Sequence, residues 1–161
     1  MNALKTSLLA TSLAIGCAFP PVLLAETHDH GKHAMVLPGE LKWSDVPSVP
    51  PGAKIAVIEG PMSEAVPFTA RLKFPANYNL PAHWHPAIEH VTVISGTFHM
   101  GTGDKLDRSL TPALPAGAMA IMQVGTRHFA WTNEETVVQI HGVGPWGINY
   151  VNPDDDPRKK K

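Results

Sequence analysis

Short hydrophobic runs bounded by proline and glycine constrain the fold of this chain more than any other feature. From residue 41 onward they read KIAVIEG, PFTARLKF, HVTVIS, GTFHM, AMAIM, RHFAWT, TVVQIHG and GINYV. Their lengths and β-branched content are typical of strands, and no segment shows the periodicity of an amphipathic helix of three turns. The 16 prolines and 13 glycines supply many turns, and we predict loops at VPSVPPG, PANYNLP, GTGDKLD and TPALPAG. We therefore predict an all-β sandwich or barrel.

A His-x-His pair followed by a glutamate lies between two of these runs. His83 and His85 alternate, so a β-strand places both imidazoles on one face. Glu89 begins the next apolar run, after Pro86 has interrupted the strand, and His128 follows later in VGTRHFAW. Three imidazole nitrogens and a carboxylate suit zinc, iron, manganese, nickel or copper. The pattern predicts a site for one divalent transition metal.

The spacing of these residues resembles the two sequence motifs of the cupin superfamily. Residues 83–96 read H-x-H-x3-E-x6-G, which matches the first motif without a departure. The second motif, G-x5-P-x-G-x2-H-x3-N, can be laid on Gly117, Gln123, Gly125, His128 and Thr132. Glutamine replaces the proline and threonine the asparagine, and both departures fall on turn or packing positions. The resemblance covers residues 40–150.

This resemblance implies a single jelly-roll barrel over residues 41–152, together with its metal ligands. His83, His85 and His128 would bind as neutral imidazoles, and Glu89 would be the anionic ligand that can detach and act as a catalytic base. The ligands alone leave Zn, Cu, Fe, Mn and Ni open. Cupins commonly pair through strand edges, so the resemblance also implies a homodimer.

Period-two alternation sorts the residues around the site. The positions predicted to line the barrel with the ligands are Val91, Val93, Phe98, Met100, Ala130 and Thr132. The favoured interpretation places His90 and His99 on the outer face, whereas His141 is left open between the outer face and the barrel mouth. Substrate contact and structural packing both remain open for Tyr78, Gln139 and Trp146.

Residues 1–25 have the pattern of a secretory signal peptide. Lys5 provides a short positive region, residues 7–19 form an apolar core too short to span a membrane, and Ala25 offers a small residue for cleavage. An N-terminal helix and a lipoprotein signal ending at Cys17 are the alternatives. We expect a periplasmic or secreted protein.

Cleavage after Ala25 would give the mature chain a second candidate metal site. The new terminus would begin Glu26-Thr27-His28, and a free amine, two deprotonated amides and an imidazole form the square-planar site that Cu(II) and Ni(II) prefer. The alternative is a polar arm whose histidines are incidental. We predict that residues 26–40 form a flexible His-containing arm and that residues 153–161 form a charged, solvated tail.

Composition excludes some classes of function. The net charge of −1 gives no electrostatic case for binding nucleic acid or an anionic membrane. The cupin resemblance favours a metal-dependent enzyme that acts on a small oxygenated organic molecule, with dioxygenation ahead of isomerisation. A non-catalytic periplasmic module that binds a metal or small ligand, similar to the cupin domains of anti-sigma factors, is the alternative.

Overall fold

The computed structural model describes residues 33–159, which form short strands joined by turns. The strands are β1 (Ser44–Asp45), β2 (Lys54–Glu59), β3 (Pro67–Phe74), β4 (Asn79–Trp84), β5 (Glu89–Ser95), β6 (Thr97–Thr102), β7 (Ala113–Pro115), β8 (Met119–Met122), β9 (His128–Trp131), β10 (Thr136–Val143) and β11 (Asn149–Tyr150). Single-turn 3-10 helices cover Pro38–Glu40, Arg108–Leu110, Pro153–Asp155 and Pro157–Lys159.

The strands form two antiparallel sheets. The six-stranded sheet has the order β1-β2-β3-β10-β5-β8, and the five-stranded sheet has the order β11-β4-β9-β6-β7. Strands far apart in sequence are neighbours in both sheets, as when β10 pairs with β3 and with β5. This arrangement confirms the predicted all-β jelly-roll barrel.

The core lies between the two sheets, and β3 shows the alternation of inward and outward residues most clearly. In β3 the buried positions are Phe68, Ala70, Leu72 and Phe74. At one end of the barrel Phe74 stacks on Phe98, with ring centroids 5.6 Å apart. The opposite end, here called the mouth, carries the histidines, because the strand register places His83 beside His128 there.

Two strands lie in segments that composition predicts to be loops. β4 begins inside PANYNLP, and β7 lies inside TPALPAG. β7 is the edge of its sheet, where proline is tolerated because one side of the strand needs no hydrogen bonds. The loop predicted for this segment from its proline content is therefore an edge strand.

The segment after β11 is mostly exposed but contains one buried carboxylate. Asp156 is only 8% exposed, and the guanidinium of Arg158 donates to both of its carboxylate oxygens at 2.8 Å. The same guanidinium donates to the carbonyl of Ile148 at 3.2 Å. Pairing between adjacent opposite charges satisfies a carboxylate that would otherwise be costly to bury.

The predicted signal peptide, including Cys17, lies outside the described residues, as does His28. Within residues 33–159 no helix is long and apolar enough to cross a membrane.

Candidate metal centre

Three histidines from two neighbouring strands converge at the mouth of the barrel. His83 lies near the end of β4, His85 directly follows that strand, and His128 begins β9. One ring nitrogen of each lies within 4.8 Å of those of the other two. The carboxylate oxygen Oε2 of Glu89, the first residue of β5, is 3.5 Å from Nε2 of His85 and of His128. All four residues are buried, at most 4% exposed.

A β-bulge in β4 aims His83 into the barrel. Leu80 pairs with Ala130 and His83 pairs with His128, so two residues of β4 oppose one residue of β9. Leu80 and His83 consequently both face inward although they are three positions apart. Simple alternation does not predict this shift, because a bulge depends on the partner strand.

Backbone carbonyls fix the orientation of all three imidazoles. Nδ1 of His83 lies 2.7 Å from the oxygen of Pro81, Nδ1 of His85 is 2.7 Å from that of Gly147, and Nδ1 of His128 is 2.8 Å from that of Thr126. A carbonyl oxygen only accepts, so each Nδ1 must carry the hydrogen. The lone pair is then on Nε2, as in metal-ligating histidines that donate their other nitrogen to a backbone acceptor.

Burial keeps His83 and His85 neutral. It holds the pKa of His83 well below the ordinary value of 6.5, and the neighbouring His128 and His85 lower it further. Burial also lowers the pKa of His85, with Glu89 opposing the shift. Neutral imidazole is the form that binds metal, so these side chains need no deprotonation near pH 7.

His85 lies beyond the strand and is held by two loops. Its carbonyl accepts from the backbone amide of Gly125, 3.0 Å away, in the turn that precedes β9. That turn requires a φ of +74° at Gly125, which favours glycine. On its other side the imidazole stacks on Trp146, with ring centroids 4.4 Å apart. The glycine of the second motif thus positions a ligand of the first.

The cluster faces a small, mostly apolar cavity of about 20 Å³ inside the barrel. His83, Glu89 and His128 supply its polar wall, and the apolar wall is Leu72, Phe74, Leu80, Val91, Phe98, Met100, Ala130, Val138 and Ile140. The predicted inward positions Val91, Phe98, Met100 and Ala130 are among these. A larger depression of about 730 Å³, lined by residues such as Asp104 and Asn152, includes none of the four candidate ligands in its lining.

Other histidines lie on the outer faces of the sheets. His90 and His141 are cross-strand partners whose rings stack 4.7 Å apart, and His99 stacks on Trp131 at 3.7 Å. His141 points outward because Ile140, its neighbour in β10, points into the core. His141 therefore lies on the outer face and not at the barrel mouth, the two locations that the sequence left open.

The remaining open positions contribute to packing or cover the site. The Tyr78 hydroxyl donates to the carbonyl of Pro50, and the side-chain oxygen of Gln139 accepts from Arg71. Trp146 is the member of this group that touches the cluster, through its stacking on His85. Its backbone amide is held by the carbonyl of Met62 at 2.7 Å.

The donor set fits a divalent transition metal. Nε2 of His85 and of His128 are buried and have no hydrogen-bond partner within residues 33–159. Two neutral nitrogen lone pairs facing one carboxylate oxygen repel one another unless a cation or proton lies between them. Imidazole nitrogen with one carboxylate is also the ligand chemistry typical of zinc, copper and iron sites.

A small double-sheet barrel with a buried histidine cluster at its mouth is the architecture of a cupin. The chain belongs to the family described as the ChrR cupin-like domain, which matches residues 31–146. This confirms the resemblance drawn from the two sequence motifs. No match was found among curated proteins.

Solved structures share this fold at low sequence identity. A proposed acetylacetone dioxygenase from Methylibium petroleiphilum PM1 is 18% identical, with a TM-score of 0.60 over 78% of this chain and 85% of that one. The polyketide cyclase RemF from Streptomyces resistomycificus is 15% identical, with a TM-score of 0.65 over 80% and 92%. Salicylate 1,2-dioxygenase from Pseudoaminobacter salicylatoxidans is 10% identical, with a TM-score of 0.52 over 62% and 29%.

Proposed function

We propose that this protein is an exported cupin that binds one divalent transition metal through His83, His85, His128 and Glu89. We further propose that it is a metal-dependent enzyme acting on a small oxygenated organic molecule, with a dioxygenase-like reaction favoured over isomerisation. The observation that carries this proposal is the convergence of three carbonyl-anchored histidines on one buried carboxylate.

Each residue of the centre has a definite task. The three carbonyl-anchored imidazoles hold fixed lone pairs toward a common point, and Glu89 supplies the negative charge. A bound metal would supply Lewis acidity and a coordination position for an oxygenated ligand. Glu89 Oε2 can accept a proton when it is not needed as a ligand, so the same group is our candidate base. The apolar wall and Trp146 exclude water.

The similarity to dioxygenases supports the reaction class at the level of the fold alone. Two of the fold neighbours are described as dioxygenases, one for acetylacetone and one for salicylate. Diketones, catechols and salicylate each present two neighbouring oxygen atoms to a metal. For the metal itself, a site loaded outside the cytoplasm favours copper or zinc by intrinsic affinity, while iron, manganese and nickel suit the chemistry.

A non-catalytic binding module is the second candidate function. A cavity of about 20 Å³ has room for roughly one water-sized group and not for an organic substrate. The ligands are also closed off from solvent by their own burial. A barrel that only stores or senses a metal needs no more space than this.

Metal content and oxygen uptake separate the two functions. Protein purified from its native compartment is analysed for metals, and oxygen consumption is then measured with acetylacetone, catechol and salicylate. One metal per chain with turnover supports the enzyme. Full zinc occupancy without turnover supports the binding module. Unchanged metal stoichiometry in the His83→Ala, His128→Ala double variant would show that the site is elsewhere.

Export and the terminal copper site are tested together by mass spectrometry of the mature protein. We propose cleavage after Ala25 and location in the periplasm or outside the cell. A first residue of Glu26 would permit the amino-terminal Cu(II) or Ni(II) site at His28. Any other first residue contradicts that site, and a full-length chain in the cytoplasm contradicts export.

A further inference from the structure

An apolar groove of about 280 Å³ runs along the flank of the barrel. It lies between the edge strand β8 and the β6–β7 side of the five-stranded sheet. Its walls include Met100, Thr102, Leu110, Leu114, Ala120 and Met122. Among the described residues that line it, Thr102 alone has a side chain that forms conventional hydrogen bonds. The groove is therefore suited to a mostly apolar molecule.

The inner end of the groove lies beside two of the candidate ligands. Met122 is the cross-strand partner of Glu89 in the β5–β8 pair, and Thr102 is the cross-strand partner of His128 in the β6–β9 pair. Directly opposed residues place their Cβ atoms about 4.5–5.5 Å apart on the same face of a sheet. The inner end of the groove is thus lined by the direct cross-strand neighbours of Glu89 and His128.

Met100 forms a wall common to the groove and the interior cavity. It is 6% exposed and lines both spaces. Methionine has three rotatable side-chain bonds and adapts to irregular gaps more readily than branched residues do. A rotamer change at Met100 or Met122 can join the two spaces without moving a strand.

The site needs additional space if it is to bind an organic molecule. The interior cavity of about 20 Å³ is far smaller than the roughly 300–1,000 Å³ of typical ligand sites. At the mouth, Trp146 stacks on His85 and covers that side of the cluster. The groove has nearly the required volume and reaches the centre from the other side.

We propose that this groove is the access route and binding subsite for the apolar part of the metal centre's organic ligand. The ligand class is a small, mostly hydrophobic molecule with one oxygenated end, such as a catechol or another phenol. Its oxygenated end would face Glu89 and His128, and its apolar part would lie against Leu114, Ala120 and Met122. This inference rests on the proposed function of the metal centre.

Three variants of β8 test the route. Ala120→Phe fills the groove, and Met122→Ala removes part of the wall beside Glu89. Ile121→Phe is the matched control, because Ile121 belongs to the same strand but faces outward and is 50% exposed. Trp146→Ala opens the mouth instead. Cobalt content is measured for each variant to show that the metal centre is retained.

Association kinetics provide the first readout. The cobalt-loaded protein is mixed with catechol in a stopped-flow spectrometer, and the change in cobalt absorption is followed. We expect Ala120→Phe to slow association by about tenfold or more, Met122→Ala to accelerate it, and Ile121→Phe to leave it unchanged. An unchanged rate in Ala120→Phe together with a faster rate in Trp146→Ala would overturn the proposal in favour of access through the mouth.

Crystallography of the metal-free protein under xenon gives a second readout, independent of the metal. We expect xenon in the groove of the wild type and its loss in Ala120→Phe, because dry apolar cavities bind xenon. A wild-type groove without xenon overturns the inference. Xenon in the groove of a protein that takes up no cobalt refutes the proposed metal function instead, and with it the role of the groove as a route to the metal.

Discussion

At the scale of single residues, the hydrogen bonds of the three histidines decide the chemistry of the site. Each Nδ1 is used by a backbone carbonyl, so each Nε2 is left to face the others. Replacing any one imidazole removes a nitrogen and also leaves a buried carbonyl without its donor. Effects of these substitutions will therefore combine lost ligation with lost structure.

The free energy of unfolding of the metal-free protein should decrease as the pH is lowered, because His83 is neutral in the folded state. The pKa of His83 is well below 6.5, so near and below pH 6.5 the unfolded chain binds a proton that the folded chain excludes. Each such histidine contributes up to about 1.4 kcal/mol per pH unit, lost progressively as the pH falls from 6.5 toward the folded pKa. Urea unfolding of the metal-free protein between pH 5 and pH 8 measures this slope. His83→Gln should make it shallower, and parallel curves for the two proteins would contradict the interpretation.

Glu89→Gln should weaken metal binding while preserving the fold. The substitution keeps the side-chain volume but removes the negative charge that faces His85 and His128. We expect the metal dissociation constant to rise by more than about tenfold, and catalytic turnover, if present, to be abolished. Competition with a chromogenic chelator measures the affinity, and circular dichroism monitors the fold. Glu135→Gln, on the exposed loop before β10, is the control, and equal affinity in both variants would refute the role of Glu89.

At the scale of elements, Thr132 connects the two strands that position the histidines. The Thr132 hydroxyl, where the cupin motif has asparagine, donates to the carbonyl of Pro75 at 2.7 Å and accepts from the amide of Tyr78 at 3.3 Å. It ties the end of β9 to the loop before β4, the two strands that carry the histidines. Thr132 therefore links the two segments through its hydroxyl, although the cupin motif has asparagine at this position.

Gly96→Ala should destabilise the turn between β5 and β6. Gly96 has a φ of +74°, and a Cβ there would lie 2.6 Å from the carbonyl oxygen of Glu135. Strain and the clash with backbone together should cost about 2 kcal/mol or more. Denaturant unfolding compares it with Gly39→Ala, where a Cβ meets nothing within 4 Å. A similar loss of stability in both variants would show that this turn is not constrained.

At the scale of the whole molecule, the outer face of the six-stranded sheet is the surface to test for self-association. The edge strand β8 presents Met119 and Ile121, which are 49% and 50% exposed, and Ile94 of β5 is 41% exposed beside them. An apolar edge of this kind is open to pairing with another strand. It is the place where the homodimer predicted from the cupin resemblance would form.

Ile121→Lys should shift such a dimer toward monomer. A charge on the outward face of β8 disfavours strand pairing there without entering the core. Sedimentation velocity over a range of concentrations measures the shift, and Val57→Lys, on β2 and 56% exposed, is the control for an added surface charge. A wild-type protein that is monomeric at all concentrations would contradict the prediction of a homodimer.

The amino-acid sequence by itself determined the all-β class, the cupin motifs and the four candidate ligands. Strand alternation is a local property, so it correctly placed Val91, Phe98 and Met100 inside the barrel. The prolines around β7 led to the prediction of a loop there. An edge strand tolerates proline, whereas a central strand does not.

Only the tertiary structure decided how those ligands meet and what surrounds them. The bulge that turns His83 inward, the loop that sets Trp146 on His85 and the groove beside Met122 each depend on residues distant in sequence. Local patterns encode which face a side chain takes, but closure of a barrel determines which faces share a cavity. For that reason the candidate ligands could be predicted from the chain, and the proposed route to them could not.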